Sequence, residues 1–114
     1  MHELPVTQSI LNISLEEAKK NNAKRINSIN IKIGKLTGLV PESINYYFAI
    51  ISKDTIANEA NIVIEKLPLM IKCKDCLSEY EIDINNFLCK QCKSENIKII
   101  GGKEFYVDSI EIDD

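Results

Sequence analysis

Residues 73–92 read CKDCLSEYEIDINNFLCKQC. A Cys-x-x-Cys pair closes each end: Cys73 with Cys76, and Cys89 with Cys92. Each pair sits on a tight turn, which brings two thiolates to a common point. Two such turns facing each other place four sulfurs at the corners of a tetrahedron. Zn²⁺ suits this arrangement, because it has no geometric preference of its own and favours thiolate sulfur. No fifth ligand is evident, so the site is expected to be closed and structural. Its metal would fold the segment, which has few apolar residues to bury. An iron–sulfur cluster uses the same ligands and stays open on spacing alone. A redox dithiol usually comes as one pair beside a βαβ pattern. Unrelated free thiols would not fall into two matched pairs.

On either side of this segment the sequence reads as regular structure. Upstream, NEANIVIEKLPLM (58–70) contains an alternating strand, with Ile62, Ile64 and Leu67 on one side and Val63 and Glu65 opposite. Pro68 ends it or marks an edge. Downstream, KEFYVDSIEI (103–112) is a further strand, with Phe105, Val107 and Ser109 facing one way and Tyr106, Asp108 and Ile110 the other. Gly101 and Gly102 before it look like a hinge or turn.

Nearer the start, RINSINIKIGKL (25–36) puts Ile29, Ile31 and Ile33 on a buried face, until Gly34, Thr37 and Gly38 break it. Two helices complete the pattern. LPVTQSILNISLEEAKKNNAKR (4–25) carries a stripe of Leu4, Leu11, Leu15 and Ala18, widened by Val6, Ile10 and Ile13. A second helix opens at Val40-Pro41-Glu42-Ser43, with Pro41 in its first turn and Ile44, Tyr47, Phe48 and Ile51 at helical spacing.

This order predicts an α+β chain: a three-stranded antiparallel sheet covered by two helices, with an inserted Cys₄ zinc-ribbon-like domain. The expected division is a discontinuous α/β domain over 1–69 and 101–114, interrupted by the cysteine domain over 70–100.

Composition narrows the function. The chain has 114 residues, is 45% hydrophobic, lacks Trp and carries a formal charge of −3. A nucleic-acid binder normally shows a basic excess. Within the insert, Lys72, Lys74, Lys90, Lys93 and Lys98 are matched by Asp75, Glu79, Glu81, Asp83 and Glu95. A Cys₄ zinc centre would add a formal charge of about −2. Phosphate binding therefore loses its driving force. No apolar run is long enough for a membrane span, and the start lacks the pattern of a signal peptide. The chain is read as intracellular, where cysteines serve more often as metal ligands than as disulfides.

The sole histidine is His2, in the opening MHE. The Met1 amine, the His2 backbone nitrogen, the His2 imidazole and the Glu3 backbone nitrogen make four nitrogen donors linked by short chelate rings. Planar nitrogen ligation selects Ni²⁺ or Cu²⁺ over Zn²⁺ or Mg²⁺. Set against this, a stray histidine at a chain start is common and usually no ligand.

The MHE start, the helix behind it, IGKLTGLVPESI, TIANEANIVIEKLP, the two Cys-x-x-Cys pairs and the closing GGKEFYVDSIEI run essentially end to end. Together they resemble the HypA family, the nickel metallochaperones of [NiFe]-hydrogenase assembly. The resemblance implies an α/β nickel domain with an inserted zinc domain and no enzymatic activity of its own. It implies Ni²⁺ held transiently by Met1, His2 and Glu3, and structural Zn²⁺ held by Cys73, Cys76, Cys89 and Cys92. It also implies a cytoplasmic protein, monomeric or homodimeric. Its partners would be the GTPase HypB and the hydrogenase large-subunit precursor, with no nucleic acid or membrane.

Two departures stand out. Leu77 and Lys93 occupy places where the family often has Gly, which accepts a left-handed backbone. Auxiliary histidines found in some relatives are absent. The alternative is a zinc-ribbon adaptor or transcription-accessory protein without a nickel role. An enzyme using the cysteines would need a thiolate beside a base, and the lone histidine is far away in sequence.

Overall fold

The computed structural model describes residues 3–83 and 85–113. Helix α1 spans Glu3–Lys20 and is followed by strand β1 (Arg25–Gly34), a 3₁₀ turn (Lys35–Thr37) and helix α2 (Pro41–Ile51). Then come β2 (Asn61–Leu67), β3 (Met70–Cys73), β4 (Glu79–Glu81), β5 (Ile97–Gly101) and β6 (Phe105–Asp113). The α+β class agrees with the sequence reading: two helices with antiparallel sheets. The strands form two three-stranded sheets, ordered β2-β1-β6 and β4-β3-β5.

The chain divides into two compact units. The first comprises 1–32, 38–65 and 106–114; the second comprises 33–37 and 66–105.

In the first unit α1 and α2 pack against each other. The buried face of α1 is Thr7, Ile10, Leu11, Ser14 and Ala18, at helical spacing. Its other apolar residues do not all turn inward: Leu4 is 44% and Ile13 48% exposed. The helix ends in a Schellman motif. The Ala23 N–H donates to the Ala18 carbonyl (3.0 Å) and the Asn22 N–H to that of Lys19 (3.1 Å), while Asn22 takes a φ of 53°. Asn tolerates that conformation better than other residues with a side chain, which explains why the helix stops before Arg25.

The core of this unit includes Ile10, Leu11, Ile26, Ile29, Ile31, Ile44 and Phe48, each at most 3% exposed. Fully burying each large aliphatic side chain contributes about 1.5–3 kcal/mol. Strands β1 and β6 run antiparallel: the Lys24 N–H meets the Asp113 carbonyl at 2.8 Å, and Asn30 donates to Ser109 at 3.0 Å. On the β2 side, Lys32 pairs with Glu65 at 2.7 Å and Arg25 with Glu59 at 4.0 Å. Along β6 the more buried set is Phe105, Val107, Ile110 and Ile112. The strand therefore changes phase between Val107 and Ile110, as an extra residue in a strand produces, and Ser109 does not share the inward face of Val107.

The second unit is built on β3. It pairs antiparallel with β4 (Ile71 opposite Tyr80) and with β5 (Ile71 opposite Ile99, Cys73 opposite Ile97). Its core is small: Leu69, Ile71 and Ile82, with Leu36, Tyr80, Ile97 and Ile99 against them. Leu36 comes from the 3₁₀ turn, whose flank is tied on by Gly34 N–H to the Glu104 carbonyl and Leu36 N–H to the Gly102 carbonyl, both 2.7 Å. Gly34 has to be glycine here, since a Cβ would lie 2.1 Å from the Gly102 oxygen.

Candidate metal centre

Each cysteine pair is held by the same local bonds. In the first turn the Leu77 N–H donates to the Cys73 carbonyl (2.9 Å) and the Cys73 N–H to that of Ser78 (2.9 Å). In the second, the Lys93 N–H donates to the Cys89 carbonyl (2.9 Å) and the Cys89 N–H to that of Ser94 (3.0 Å). Both turns pass through the left-handed region, with φ of 63° at Leu77 and 60° at Lys93. The conformation that favours glycine is thus kept by two residues with side chains, at a strain of roughly 1–2 kcal/mol each.

These turns bring all four sulfurs within 4.8 Å of one another. Cys73 and Cys92 are 3.6 Å apart, Cys76 and Cys89 3.5 Å. For Zn–S bonds of about 2.3 Å the edges of a tetrahedron are about 3.8 Å. The sulfur positions therefore fit a four-coordinate ion such as zinc. Cys73 and Cys89 are buried, whereas Cys76 and Cys92 are exposed.

Hydrogen-bond donors surround the sulfurs. The Cys76 N–H points at Cys73 Sγ and the Cys92 N–H at Cys89 Sγ, each at 3.5 Å. Cys76 Sγ lies 3.4 Å from Ser78 Oγ, to which it donates while it carries its proton. The Tyr80 hydroxyl accepts the Lys90 N–H and bonds to Cys89, and the Lys90 ammonium sits 5.3 Å from the Tyr80 ring centroid.

Without metal, the Cys92 N–H and then the Tyr80 hydroxyl pull the Cys89 thiol down to about 5. The Ser78 hydroxyl, then its backbone N–H, lowers that of Cys76. Cys92 goes the other way. The Ser94 backbone favours its thiolate, but bonding to Cys73, partial loss of water around the sulfur and bonding to Cys89 outweigh this and push it up to about 12. Four sulfurs at one point cannot all ionise unaided, and a cation removes that conflict.

The chain belongs to the HypA family. The pattern described as "Hydrogenase/urease nickel incorporation, metallochaperone, hypA" matches residues 1–112. A hydrogenase maturation factor HypA from Desulfatibacillum aliphaticivorans is 38% identical, over 100% of this chain and 88% of its own. One from Caldanaerobacter subterraneus subsp. tengcongensis is 37% identical, over 99% and 100%. In three dimensions the chain is similar to the solution structure of the Ni metallochaperone HypA from Helicobacter pylori. That match has a TM-score of 0.70 and 26% identity, covering 99% of this chain and 98% of that one. HypA proteins are metallochaperones, not enzymes. Membership in a hydrogenase-maturation family implies dealings with that machinery. No described helix is long and apolar enough to cross a membrane.

Of the three residues assigned to nickel from sequence, Met1 and His2 lie outside the described residues. Glu3 is the first residue of α1. Its carboxylate accepts the Val40 N–H at 3.3 Å, and its carbonyl accepts the hydroxyl of buried Thr7 at 2.6 Å. Its backbone N–H belongs to the set with no acceptor inside a helix. Sequence reasoning overlooked Thr7, and also the polar groups around the cysteines. A signal for the latter exists: CKDCLS (73–78) and CKQCKS (89–94) repeat a serine two places after the second cysteine.

Proposed function

We propose that this protein is a nickel metallochaperone that takes up Ni²⁺ at its N-terminus and delivers it to the [NiFe]-hydrogenase large-subunit precursor. The observation that carries this reading is the family match over residues 1–112, which takes in both the MHE start and the four cysteines. Nickel is cargo. Its donors would be the Met1 amine, the His2 backbone and imidazole nitrogens and the Glu3 backbone nitrogen, a nitrogen set that suits Ni²⁺ or Cu²⁺; the family match favours nickel. The engagement of the Glu3 carboxylate with Val40 supports a role for Glu3 through its backbone. Protons compete for an ionised amide and a neutral imidazole, so such a site is reversible.

In this reading the residues from 1–69 and 101–114 form the nickel domain, and 70–100 the zinc domain. Cys73, Cys76, Cys89 and Cys92 hold structural Zn²⁺, supported by sulfur spacings close to those of a zinc tetrathiolate. The GTPase HypB is the partner in nickel handling, and the protein acts in the cytoplasm as a monomer or homodimer.

The test is metal content and Ni²⁺ titration on untagged protein, wild type beside His2→Gln. A tag would remove the free amine. One zinc and one further nickel in wild type, with only the nickel lost in His2→Gln, supports the proposal. Equal nickel binding by both, or by neither, makes His2 incidental and leaves a zinc-ribbon adaptor.

A further inference from the structure

The two cysteine turns are crossed by side-chain bonds that use none of the four sulfurs. In each turn the residue just before the second cysteine reaches over to the serine that follows the other turn. Asp75, between Lys74 and Cys76, accepts the Ser94 hydroxyl through Oδ2 and Asn96 Nδ2 at 3.3 Å through Oδ1. Gln91, between Lys90 and Cys92, accepts the Ser78 hydroxyl through Oε1 at 2.8 Å. Equivalent positions thus meet equivalent partners in both directions. Asn96 reinforces the first crossing: its N–H donates to Ser94 Oγ at 2.9 Å, and its carbonyl accepts the Lys74 N–H at 2.9 Å.

We propose that Asp75 and Gln91 are positioning residues of the metal centre, locking one cysteine turn to the other so that the sulfurs stay together when a metal–sulfur bond opens. The inference rests on the zinc reading above. A zinc ion leaves a tetrathiolate by losing one sulfur at a time, and recapture depends on the freed sulfur staying near. Cys76 and Cys92 are the exposed sulfurs, which a chelator meets first. Each follows a cross-turn residue in sequence, and the serine two places beyond it is the partner of the opposite crossing. The crossings therefore flank the two ligands whose opening begins metal loss. They are unequal in strength, since Asp75 takes two charge-assisted bonds and Gln91 one neutral bond.

The test uses the untagged full chain loaded with zinc, and measures the rate of zinc transfer to a chromophoric chelator at neutral pH. Asp75→Ala is expected to release zinc about tenfold faster than wild type, the scale of lost outer-shell partners. Gln91→Ala should show a smaller increase, and Asp75→Asn, which keeps an acceptor, should fall between wild type and Asp75→Ala. Cobalt-substituted proteins should all keep the same tetrahedral thiolate absorption, showing an intact ligand set. Asp75→Ala with Ser94→Ala should accelerate release by less than the product of the single effects, because both remove one crossing. If Asp75→Ala does not fold, Gln91→Ala and Ser94→Ala carry the rate test. Wild-type release rates in the variants, or independent effects of Asp75 and Ser94, overturn the proposal alone. A wild type that takes up no zinc overturns the zinc reading and this proposal with it.

Discussion

Glu3 Oε2 accepts the backbone N–H of Val40, 37 residues away in sequence. Val40 is the N-cap of α2 and has no capping side chain of its own. In a capping box, the N3 Glu of the same helix reaches back to the N-cap N–H. Here Ser43 occupies N3, and a carboxylate from another helix makes that bond, beside the positive end of the α2 dipole. Glu3→Ala should lower unfolding stability by about 1 kcal/mol, read from denaturant midpoints. Glu3→Gln keeps an acceptor and should lose less than half of that. Nickel affinity should change little in Glu3→Gln, because the proposed donor is the backbone nitrogen. A large loss in that variant alone would make the carboxylate a ligand.

Among the described residues, the core cluster of the second unit is Leu69, Ile71 and Ile82, too small to stand without a staple. Stripping metal with a chelator should unfold the 66–105 region while α1 and α2 keep their helical circular dichroism. Cys73→Ser should do the same even in excess zinc. Retained amide protection in β3 after metal removal would contradict this.

Acid should release the metal. Cys89, pulled down to about 5, is a thiolate at neutral pH, and Cys92, pushed up to about 12, loses its proton to solvent only when the metal displaces it. The depressed Cys89 value means its thiolate contributes above the ordinary thiol range, and that contribution is lost as pH falls through about 5. Zinc release monitored against pH should therefore be small near neutrality and rise as the pH falls, because protons compete with the metal for the thiolates. Release that does not depend on pH would exclude thiolate ligation.

Leu77 and Lys93 hold left-handed backbone that glycine adopts without strain. Leu77→Gly and Lys93→Gly should each stabilise the zinc-bound unit by up to about 1 kcal/mol, after the entropy of the freer unfolded chain is subtracted. Thermal midpoints of the zinc-loaded proteins would show it. A clear fall in either variant would mean that the side chain contributes more than its backbone costs.

Gly34→Ala places a methyl group against the Gly102 backbone, which cannot give way as the nearby Glu104 side chain could. A destabilisation of roughly 2–3 kcal/mol is expected, with loss of protection at the Gly34 and Leu36 amides. Gly38 meets nothing within 4 Å but has a φ of 73°, so Gly38→Ala should cost only backbone strain of about 1 kcal/mol.

The long elements were legible because their periods repeat. Ile29, Ile31 and Ile33 alternate, and all three are buried. The short strands of the second unit were not, since runs such as Met70–Cys73 and Glu79–Glu81 are too short to show a period. On α1 the apolar pattern was broader than the buried face. Thr7 and Ser14 turned inward where Leu4 and Ile13 did not, because a helix buries a position, whatever residue occupies it.

Sequence alone determined the two helices, the main strands and the four cysteines that come together. Each of these rests on spacing along the chain, which needs no knowledge of distant residues. Tertiary structure decided that Glu3 caps α2, that Gly34 must lack a side chain, and that Asp75 and Gln91 cross between the cysteine turns. Those depend on distances between residues far apart in sequence, and no local preference encodes them. A carboxylate finds an unpaired N–H, or a serine its acceptor, only after the packing of the core has put them side by side.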